Sequence, residues 1–279
     1  MDLDWGLSLL MLNLGPKNLV RVLQLLLLEY SILVTGKEID EVTCSVQALA
    51  ELLKPYKWCG AFLPSMSISM IDFVSAPVPY IAGLPAKEPR IIAKHDAVIE
   101  STQTGLSLVN ITNGKFMLTS ERVAQDLLSP PRCQLLETLE SLAERIQAYK
   151  HEVNRDNFRN FIDVGLSPHL ALSLKSTRDA IEKYMVSLSL ELNTTPTGWK
   201  ALGGVEDSGE FYFYPNKYIE PLRKETRFAQ AMAHTQMFVT HVDHRKKEYD
   251  LMNDKVFKSN LAKVLAKWIW RKWCAYRTK

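Results

Sequence analysis

Short apolar runs alternate with longer amphipathic stretches along the first part of the chain. Tyr30–Thr35 is rich in β-branched residues and ends at Gly36, a pattern that predicts a buried strand. Glu38–Lys54 follows with the character of a helix, which Pro55 must stop because proline lacks the backbone N–H that a helix needs. Further strands are predicted at Cys59–Leu63, Val78–Ala82, Ala97–Glu100, Leu106–Ile111 and Lys115–Leu118.

The order of these elements predicts the type of sheet. Strands that alternate with helices form an open, mostly parallel sheet with helices on its faces. The last two strands are joined by Thr112-Asn113-Gly114, which is a hairpin signal. We therefore expect an α/β fold over residues 1–128, with a mostly parallel central sheet flanked by helices.

The pattern changes near Ser129, where helical periodicity replaces the alternation of strands and helices. Pro130-Pro131 marks one helix start, and Ser167-Pro168 marks another whose apolar period continues to about Leu192. No proline occurs after Pro221, which predicts one or two long helices there. Residues 129–279 are therefore expected to form an all-α lobe. The first helix places these residues on one face: Leu135, Leu139, Leu142, Ile146 and Tyr149.

The leucine-rich segment Leu3–Leu28 could be mistaken for a signal peptide or a membrane anchor. It is preceded and opened by Asp2 and Asp4 rather than by lysines, and polar residues interrupt it. A membrane span needs about 20 consecutive, mostly apolar residues. We expect a buried helix pair with a turn at Gly15-Pro16.

Composition and motifs narrow the class of protein further. The 279 residues are 47% hydrophobic, and the net charge of +3 is too small to predict nucleic acid as a partner. The four cysteines form no CxxC pair, as is typical of reduced thiols in an intracellular protein. GxSxG, GxxxxGK[ST] and GxGxxG motifs are absent, so a hydrolase or nucleotide-binding enzyme is disfavoured and no cofactor is expected.

Three histidines in the second half, His234, His241 and His244, are the best candidates for metal ligands. On a helix, His234 and His241 lie two turns apart, about 10 Å, which is too far for one zinc ion. His241 and His244 could share a zinc ion, but no cysteine or HExxH pattern completes a ligand set. We expect no metal and interpret the histidines as helix-surface or packing residues.

Two segments carry a recognisable family pattern. Leu25–Leu84 includes Glu29 after a leucine run, LLKPYKW at Leu52–Trp58 and DFVSAPVPYIAG at Asp72–Gly83. The second segment is RFAQAMAHTQMFVTHVDHR, with Thr235-Gln236, Phe238 and Arg245 as its recognisable positions. Together they resemble the central α/β lobe and the downstream helical lobe of the DENN domain family.

The resemblance implies a function without covalent chemistry. A DENN-type protein of this kind is expected to act as a guanine nucleotide exchange factor, which activates a Rab-type small GTPase in membrane trafficking by promoting GDP release. It implies a cytoplasmic protein that associates peripherally with endomembranes. Residues 1–128 would form the central lobe and residues 129–279 the downstream lobe.

Three departures from the family pattern favour an alternative. The upstream longin-like lobe is not recognisable, so the chain would be a fragment, a shortened form or the partner of a lobe on another polypeptide. Tyr30 stands where an arginine often follows the glutamate, and Val109–Thr112 stands where an acidic strand end is common. The alternative is a catalytically silent DENN-like scaffold that binds a GTPase or a tether.

Pro64–Pro79 is the candidate partner-binding segment. Apolar and serine residues alternate in it, and prolines near its end argue against a regular helix there. Ligands of open α/β sheets gather at the carboxyl ends of the strands. The competing interpretation is core packing beneath a loop, which we favour for Ile71 and Phe73. The candidate partner-binding residues are Ser69, Asp72, Ser75 and Pro77.

Basic and aromatic residues are mixed near the end of the chain. Phe257, Leu261, Val264 and Trp268 would form the apolar face of a helix, while Trp270 falls among lysines on the other side. This arrangement suits an anionic membrane surface or an acidic partner. The competing interpretation is a terminal helix that docks only by its apolar face. The candidate residues are Lys263, Lys267, Trp270, Arg271 and Trp273.

The polar pair Thr235-Gln236 lies between apolar residues of the second family segment. Buried polar groups need partners, because an unpaired one costs about 1–3 kcal/mol. We therefore expect both side chains to form hydrogen bonds across to another helix or loop.

Overall fold

In a computed structural model, which describes residues 3–117, 134–153, 166–191, 205–207, 210–212, 227–245 and 247, a five-stranded sheet lies at the centre of the first half. The strands are in the order β2-β3-β1-β4-β5. β1 to β4 pair in parallel, and β5 runs antiparallel to β4. The strand bounds are β1 (Ile32–Gly36), β2 (Ala61–Leu63), β3 (Tyr80–Pro85), β4 (Ser107–Asn110) and β5 (Lys115–Met117).

Helices cover both faces of this sheet, so the α/β fold with a mostly parallel sheet is confirmed. The β4–β5 hairpin forms where Thr112-Asn113-Gly114 predicts it, and Gly114 has a φ of 65°. The helices are α1 (Leu3–Leu9), a π-helical turn (Leu10–Leu14), α2 (Pro16–Leu27), α3 (Ile39–Glu51), a 3₁₀ helix (Ile68–Ser75), α4 (Pro89–Ile92) and α5 (Asp96–Thr104).

The alternation of side chains along β1 separates two hydrophobic cores. Ile32 and Val34 belong to the first core, together with residues of α2 and α3. Leu33 points to the opposite face and belongs to the second core, which lies beneath the 3₁₀ helix, α4 and α5. β1, β3 and β4 are therefore buried on both faces, as their continuous apolar runs predict.

Helices of the second half extend the first core. Its buried residues include Leu139, Leu174, Phe228 and Phe238, all of them fully enclosed. The helices are α6 (Gln134–Ala148), α7 (Pro168–Glu191), α8 (Arg227–Ala233) and α9 (236–245). They pack on the helices that cover one face of the sheet. The second core, as far as the structure describes it, is formed by the first half of the chain alone.

The leucine-rich start of the chain forms the buried helix pair that the sequence predicts. Gly15, with a φ of 81°, and Pro16 make the turn between the π-helical segment and α2. Gly6 of α1 lies so close to α3 that a Cβ atom there would stand 2.2 Å from the carbonyl oxygen of Cys44. Among the described helices, none combines the length and apolarity needed to cross a bilayer.

The strand predicted at Ala97–Glu100 is wrong, because these residues lie within α5. The run Ala97–Ile99 is too short to separate helix from strand by its pattern. In the structure Val98 and Ser101 are buried on one side of α5, at helical spacing, while Ile99 is 43% exposed. The polar residues that flank Ala97–Ile99, and not the apolar run itself, therefore favour the helix at this position.

The second half contains a short hairpin in addition to its helices. Val205–Asp207 (β6) pairs antiparallel with Glu210–Tyr212 (β7). The hairpin departs from the all-α lobe expected over residues 129–279, although Ser208-Gly209 between the strands is a turn signal in the sequence. The boundary predicted at residues 128 and 129 lies outside the described residues and stays a prediction.

Candidate functional site

The predicted partner-binding residues line up along one edge of the 3₁₀ helix. Such a helix has three residues per turn, so side chains three apart in sequence stand directly above one another. Ser69, Asp72 and Ser75 therefore form an exposed column, and Pro77 lies exposed just beyond the helix. The opposite column includes Ile71 and Val74, which are buried in the second core. We call Ser69, Asp72 and Ser75 the exposed column.

Contacts beneath the exposed column hold the 3₁₀ helix in place. The Tyr80 hydroxyl donates a hydrogen bond of 2.9 Å to the carbonyl oxygen of Val74, and burial raises the pKa of this tyrosine. The rings of Phe73 and Tyr80 lie 5.3 Å apart. Before the helix, Met66 N–H donates to the carbonyl oxygen of Gly83 at 2.8 Å. A partner would therefore meet a preformed surface.

Asp72 offers a carboxylate to solvent at the middle of the exposed column. This carboxylate forms no hydrogen bond or ion pair with any residue in the part of the chain that the structure describes. The serines beside it are more constrained: the Ser69 and Ser67 hydroxyl oxygens lie 2.5 Å apart, and those of Ser75 and Ser101 lie 3.4 Å apart. Asp72 is therefore the group in this column best placed to pair with a cation of a partner.

An apolar crevice of about 690 Å³ opens beside the start of the 3₁₀ helix. It lies where the chain leaves β1, β2 and β3, at the carboxyl ends of three parallel strands. Ile39, Ile68 and Ile91 line it and are 61%, 52% and 58% exposed. Met66 and Ile92 are buried at its floor, and Ser65, Ser67, Lys87 and Glu88 supply its polar lining.

The sequence analysis did not identify Ile39 and Ile91 as site residues. Both occupy helices that begin just after a strand of the parallel sheet, at the end where ligands of such sheets gather. That rule, applied to the loops after β1 and β3, could have found them. The crevice extends the exposed column with an apolar surface.

The residues at the two positions that depart from the family pattern are part of the fold. Asn110 is 8% exposed, and its Oδ1 accepts a hydrogen bond of 3.1 Å from Thr112 N–H. Tyr30 is half-buried against the first core, below Gly105. Neither position presents a charge at the surface.

Thr235 and Gln236 do not form the cross-helix side-chain bonds that the sequence analysis expects. Thr235 is buried at the break between α8 and α9, and its hydroxyl bonds locally with Met232 O and Phe238 N–H. The Gln236 side chain is exposed. The long-range link uses backbone instead, since Gln236 and Met237 N–H groups donate to the Glu29 carboxylate at 3.0 and 2.6 Å.

The histidines of the second half have separate surroundings. His241 packs against Tyr56 with 4.8 Å between ring centroids, while His234 and His244 are exposed. Among the described residues, no three His, Cys, Asp or Glu side chains come together as a metal site. Near these rings, burial raises the pKa of Asp243, and the charge of Lys247 partly offsets that effect.

The basic and aromatic residues near the C-terminus lie outside the described part of the chain. The structure therefore does not place the predicted membrane or acidic-partner residues: Lys263, Lys267, Trp270, Arg271 and Trp273.

The fold is an α/β module extended by helices, and the exposed column and the crevice lie on its surface. In a comparison with known families, residues 2–113 match the family model of the DENN (AEX-3) domain. The resemblance seen in the sequence is confirmed over these residues, which contain strands β1 to β4, the exposed column and the crevice. This part of the chain is therefore similar to the DENN (AEX-3) domain.

Curated relatives agree with the family match over shorter stretches. DENN domain-containing protein 2B of Mus musculus and of Homo sapiens are each 32% identical over 71 residues, 25% of this chain and 6% of the relative. The DENN domain and WD repeat-containing protein SCD1 of Arabidopsis thaliana is 28% identical over 81 residues, 29% of this chain and 7% of the relative. The chain thus matches only a small part of these relatives.

Proposed function

We propose that this chain binds a Rab-type small GTPase and promotes the release of its GDP. The observation that supports this most is the exposed column: an unpaired Asp72 on a firmly packed 3₁₀ helix within the DENN-type segment. The apolar crevice adjoins the same helix and offers three exposed isoleucines to a partner. Specific interfaces combine an apolar core with a polar, solvent-accessible rim, and the crevice and Asp72 would supply one of each.

Exchange of this kind follows from differential binding. A protein that binds the nucleotide-free GTPase more tightly than the GDP-bound form lowers the barrier to GDP release, and only that difference has an effect. A surface held rigid before binding can impose the nucleotide-free shape at little entropic cost of its own. GTP then binds and displaces the exchange factor. The chain needs no cofactor for these steps.

We also propose a location for this activity. The C-terminal lysines, arginines and tryptophans would attach the chain peripherally to anionic endomembranes, where a Rab-type GTPase is encountered. The support is the sequence pattern of residues 255–279.

A scaffold that binds a GTPase without releasing GDP is the second candidate. It is favoured by the residues at the two positions that depart from the family pattern, since Tyr30 packs against the first core and Asn110 accepts a hydrogen bond in a local turn. A panel of Rab-type GTPases loaded with mantGDP separates the two functions. Accelerated fluorescence loss indicates exchange, binding without loss indicates a scaffold, and no binding to any GTPase contradicts both.

Asp72→Arg tests whether the exposed column is the binding surface. We expect weaker GTPase binding, by about tenfold or more, because the change reverses a charge at the partner surface. Its melting temperature should stay near that of the wild type, since Asp72 is exposed and makes no contact that the fold needs. Asp179→Arg is the matched control, because Asp179 is an exposed aspartate on α7.

Phe73→Ala is the complementary variant of the same helix. Phe73 packs on Tyr80 but is only half-buried, so the change should lower the free energy of unfolding by about 1–3 kcal/mol, less than for a fully buried aromatic residue. Circular dichroism melts measure both variants. Equal destabilisation by Asp72→Arg and Phe73→Ala would show that Asp72 serves the fold and not the partner.

A further inference from the structure

Helix α2 ends in a Schellman motif that has a glutamate at the position where glycine is usual. Glu29 N–H donates to Leu26 O and Tyr30 N–H donates to Leu25 O, both at 3.0 Å. This pair of bonds places Glu29 in the left-handed region, with a φ of 58°. Glycine adopts that conformation without steric cost, whereas a residue with a Cβ atom is strained there. The motif alone therefore gives no reason for a glutamate.

The reason lies 207 residues further along the chain, at the start of α9. Each oxygen of the Glu29 carboxylate accepts one backbone N–H, from Gln236 and from Met237. Phe238 N–H donates to the Thr235 hydroxyl oxygen, so the first three N–H groups of α9 all have acceptors. A carboxylate is also favoured at this end of a helix by the helix dipole. We call this arrangement the Glu29 clamp.

Side-chain contacts continue from the clamp along α9. His241 packs on Tyr56, and the Thr240 hydroxyl lies 3.7 Å from the Cys59 sulfur. The buried side of α9 contributes Met237, Phe238 and Val242 to the first core. Its other side is polar and exposed, with Gln236, Thr240 and His244 four residues apart in sequence. The clamp and these contacts together hold α9 with its Gln236, Thr240 and His244 side toward solvent.

A short series of contacts connects α9 with the segment that carries the exposed column. Cys59, which contacts α9, is two residues from Ala61, whose N–H donates to Pro79 O at 2.9 Å. Pro77 and Val78 precede that carbonyl and are exposed, Val78 by 49%. The end of the candidate partner-binding segment and the exposed side of α9 thus lie toward the same, amino, end of the sheet.

We propose that Glu29 is a positioning residue for GTPase binding. Its carboxylate fixes α9 of the second half beside the Pro77 end of the first half, so that one GTPase contacts both. The inference rests on the proposed function. It explains why the strained glutamate occupies a glycine position: the carboxylate is needed at another helix, not at the end of α2.

Glu29→Gly separates positioning from stability. Glycine relieves the left-handed strain of the Schellman motif but removes the carboxylate, so the loss of the clamp is partly offset in the melting temperature. We expect amide hydrogen exchange at Gln236 and Met237 to become about tenfold faster, as for the loss of a helix cap. The GTPase concentration for half-maximal mantGDP release should rise about tenfold, with a smaller change in the maximal rate.

Glu29→Gln tests the charge with little change in shape. Each N–H bonds to a different oxygen of Glu29, and in the amide one of these oxygens becomes an NH₂ donor, so at this geometry one N–H group loses its acceptor. Faster amide exchange and an intermediate rise in the half-maximal GTPase concentration are expected. Glu51→Gln is the control, because Glu51 is an exposed glutamate of the same half whose carboxylate pairs with its neighbour Lys54 among the described residues. It should change neither measurement.

The outcomes distinguish the clamp from the proposed function. Unchanged amide exchange in Glu29→Gly would refute the clamp. Faster amide exchange with unchanged GTPase dependence would show that the clamp stabilises the fold and positions nothing, which overturns the proposal. If the wild-type chain acts on no GTPase, the proposed function and the positioning role fail together, while amide exchange still reports whether the clamp exists.

Discussion

At the scale of single residues, two carboxyl groups occupy positions that their local surroundings disfavour. Glu29 occupies a position suited to glycine, and its carboxylate completes the start of a distant helix. Asp243 of the same helix is half-buried, and its surroundings disfavour the charged form. Both cases concern α9, because Glu29 bonds to the start of this helix and Asp243 lies within it.

Asp243→Asn should stabilise the protein at neutral pH. Burial raises the pKa of Asp243, although Lys247 opposes this, so the folded state binds its proton more tightly than the unfolded chain. Its contribution to stability is therefore complete below the unfolded pKa of about 3.9 and is lost as the pH rises through the folded value.

Thermal melts between pH 4 and pH 7 measure this effect. We expect the variant to melt higher than the wild type at pH 7, by no more than about 2–4 °C, with the difference shrinking toward pH 4. Asp179→Asn, at an exposed position of α7, should show no such trend. A constant difference across the pH range would contradict the assignment to Asp243.

At the scale of elements, close packing of α1 on α3 depends on Gly6. A glycine within a helix costs about 0.5–1 kcal/mol relative to alanine, so its presence needs another reason. Here the Cys44 carbonyl oxygen would lie 2.2 Å from a Cβ atom at Gly6, and the Ala48 Cβ atom 2.9 Å.

Gly6→Ala should therefore destabilise the protein despite the better helix propensity of alanine. We expect a loss of about 1–3 kcal/mol in the free energy of unfolding, measured by urea denaturation, because α1 must move away from α3. Adding Ala48→Gly should not restore stability, since the closer obstacle is backbone. Recovery in the double variant would show that side chains, not the Cys44 carbonyl, set the spacing.

The same scale shows which elements a sequence can predict. β1, β3 and β4 are apolar runs bounded by turns, and each was predicted within a few residues of its observed position. The error at Ala97–Glu100 arose because three apolar residues fit either a helix or a strand. The 3₁₀ helix was not predicted, yet its three-residue repeat is what aligns Ser69, Asp72 and Ser75.

The candidate site was predictable only where its residues are close in sequence. The exposed column lies within one short segment, so its pattern of polar and apolar residues was visible. The Glu29 clamp was not predictable, because a left-handed glutamate has no sequence signal and its partners are backbone groups 207 and 208 residues away. Only the fold brings them together.

At the scale of the whole molecule, one hydrophobic core joins the two halves of the chain. The first core contains β1 and α2 from one half and α6 to α9 from the other. The segment that matches the DENN family covers only residues 2–113. Expressed without the second half, it would expose the apolar side of its helical layer, so its functional surface has to be studied in the full chain.

Membrane attachment is also tested on the full chain. Deleting Lys267–Lys279 should abolish binding to vesicles that contain anionic lipid and leave GTPase binding in solution intact. Each basic residue near such a surface contributes about 1 kcal/mol, screened by salt. Vesicle flotation at rising salt concentration measures this dependence.

Two tryptophans provide a matched pair for the same experiment. Trp270→Ala should weaken vesicle binding, because Trp270 is predicted among the lysines, whereas Trp268→Ala, on the predicted packing side, should lower stability instead. Equal binding of the wild type to neutral and anionic vesicles, or binding to neither, would contradict membrane attachment.

The distance in sequence between Glu29 and its partners has a consequence for synthesis of the protein. At about 5–20 residues per second, the 207 residues between Glu29 and Gln236 take roughly 10–40 s to translate. During that time the Glu29 carboxylate lacks its two N–H partners, and the apolar side of α2 stays uncovered until α6 has been synthesised. The nascent chain should therefore be held by chaperones late into its synthesis, with the clamp among the last contacts to form.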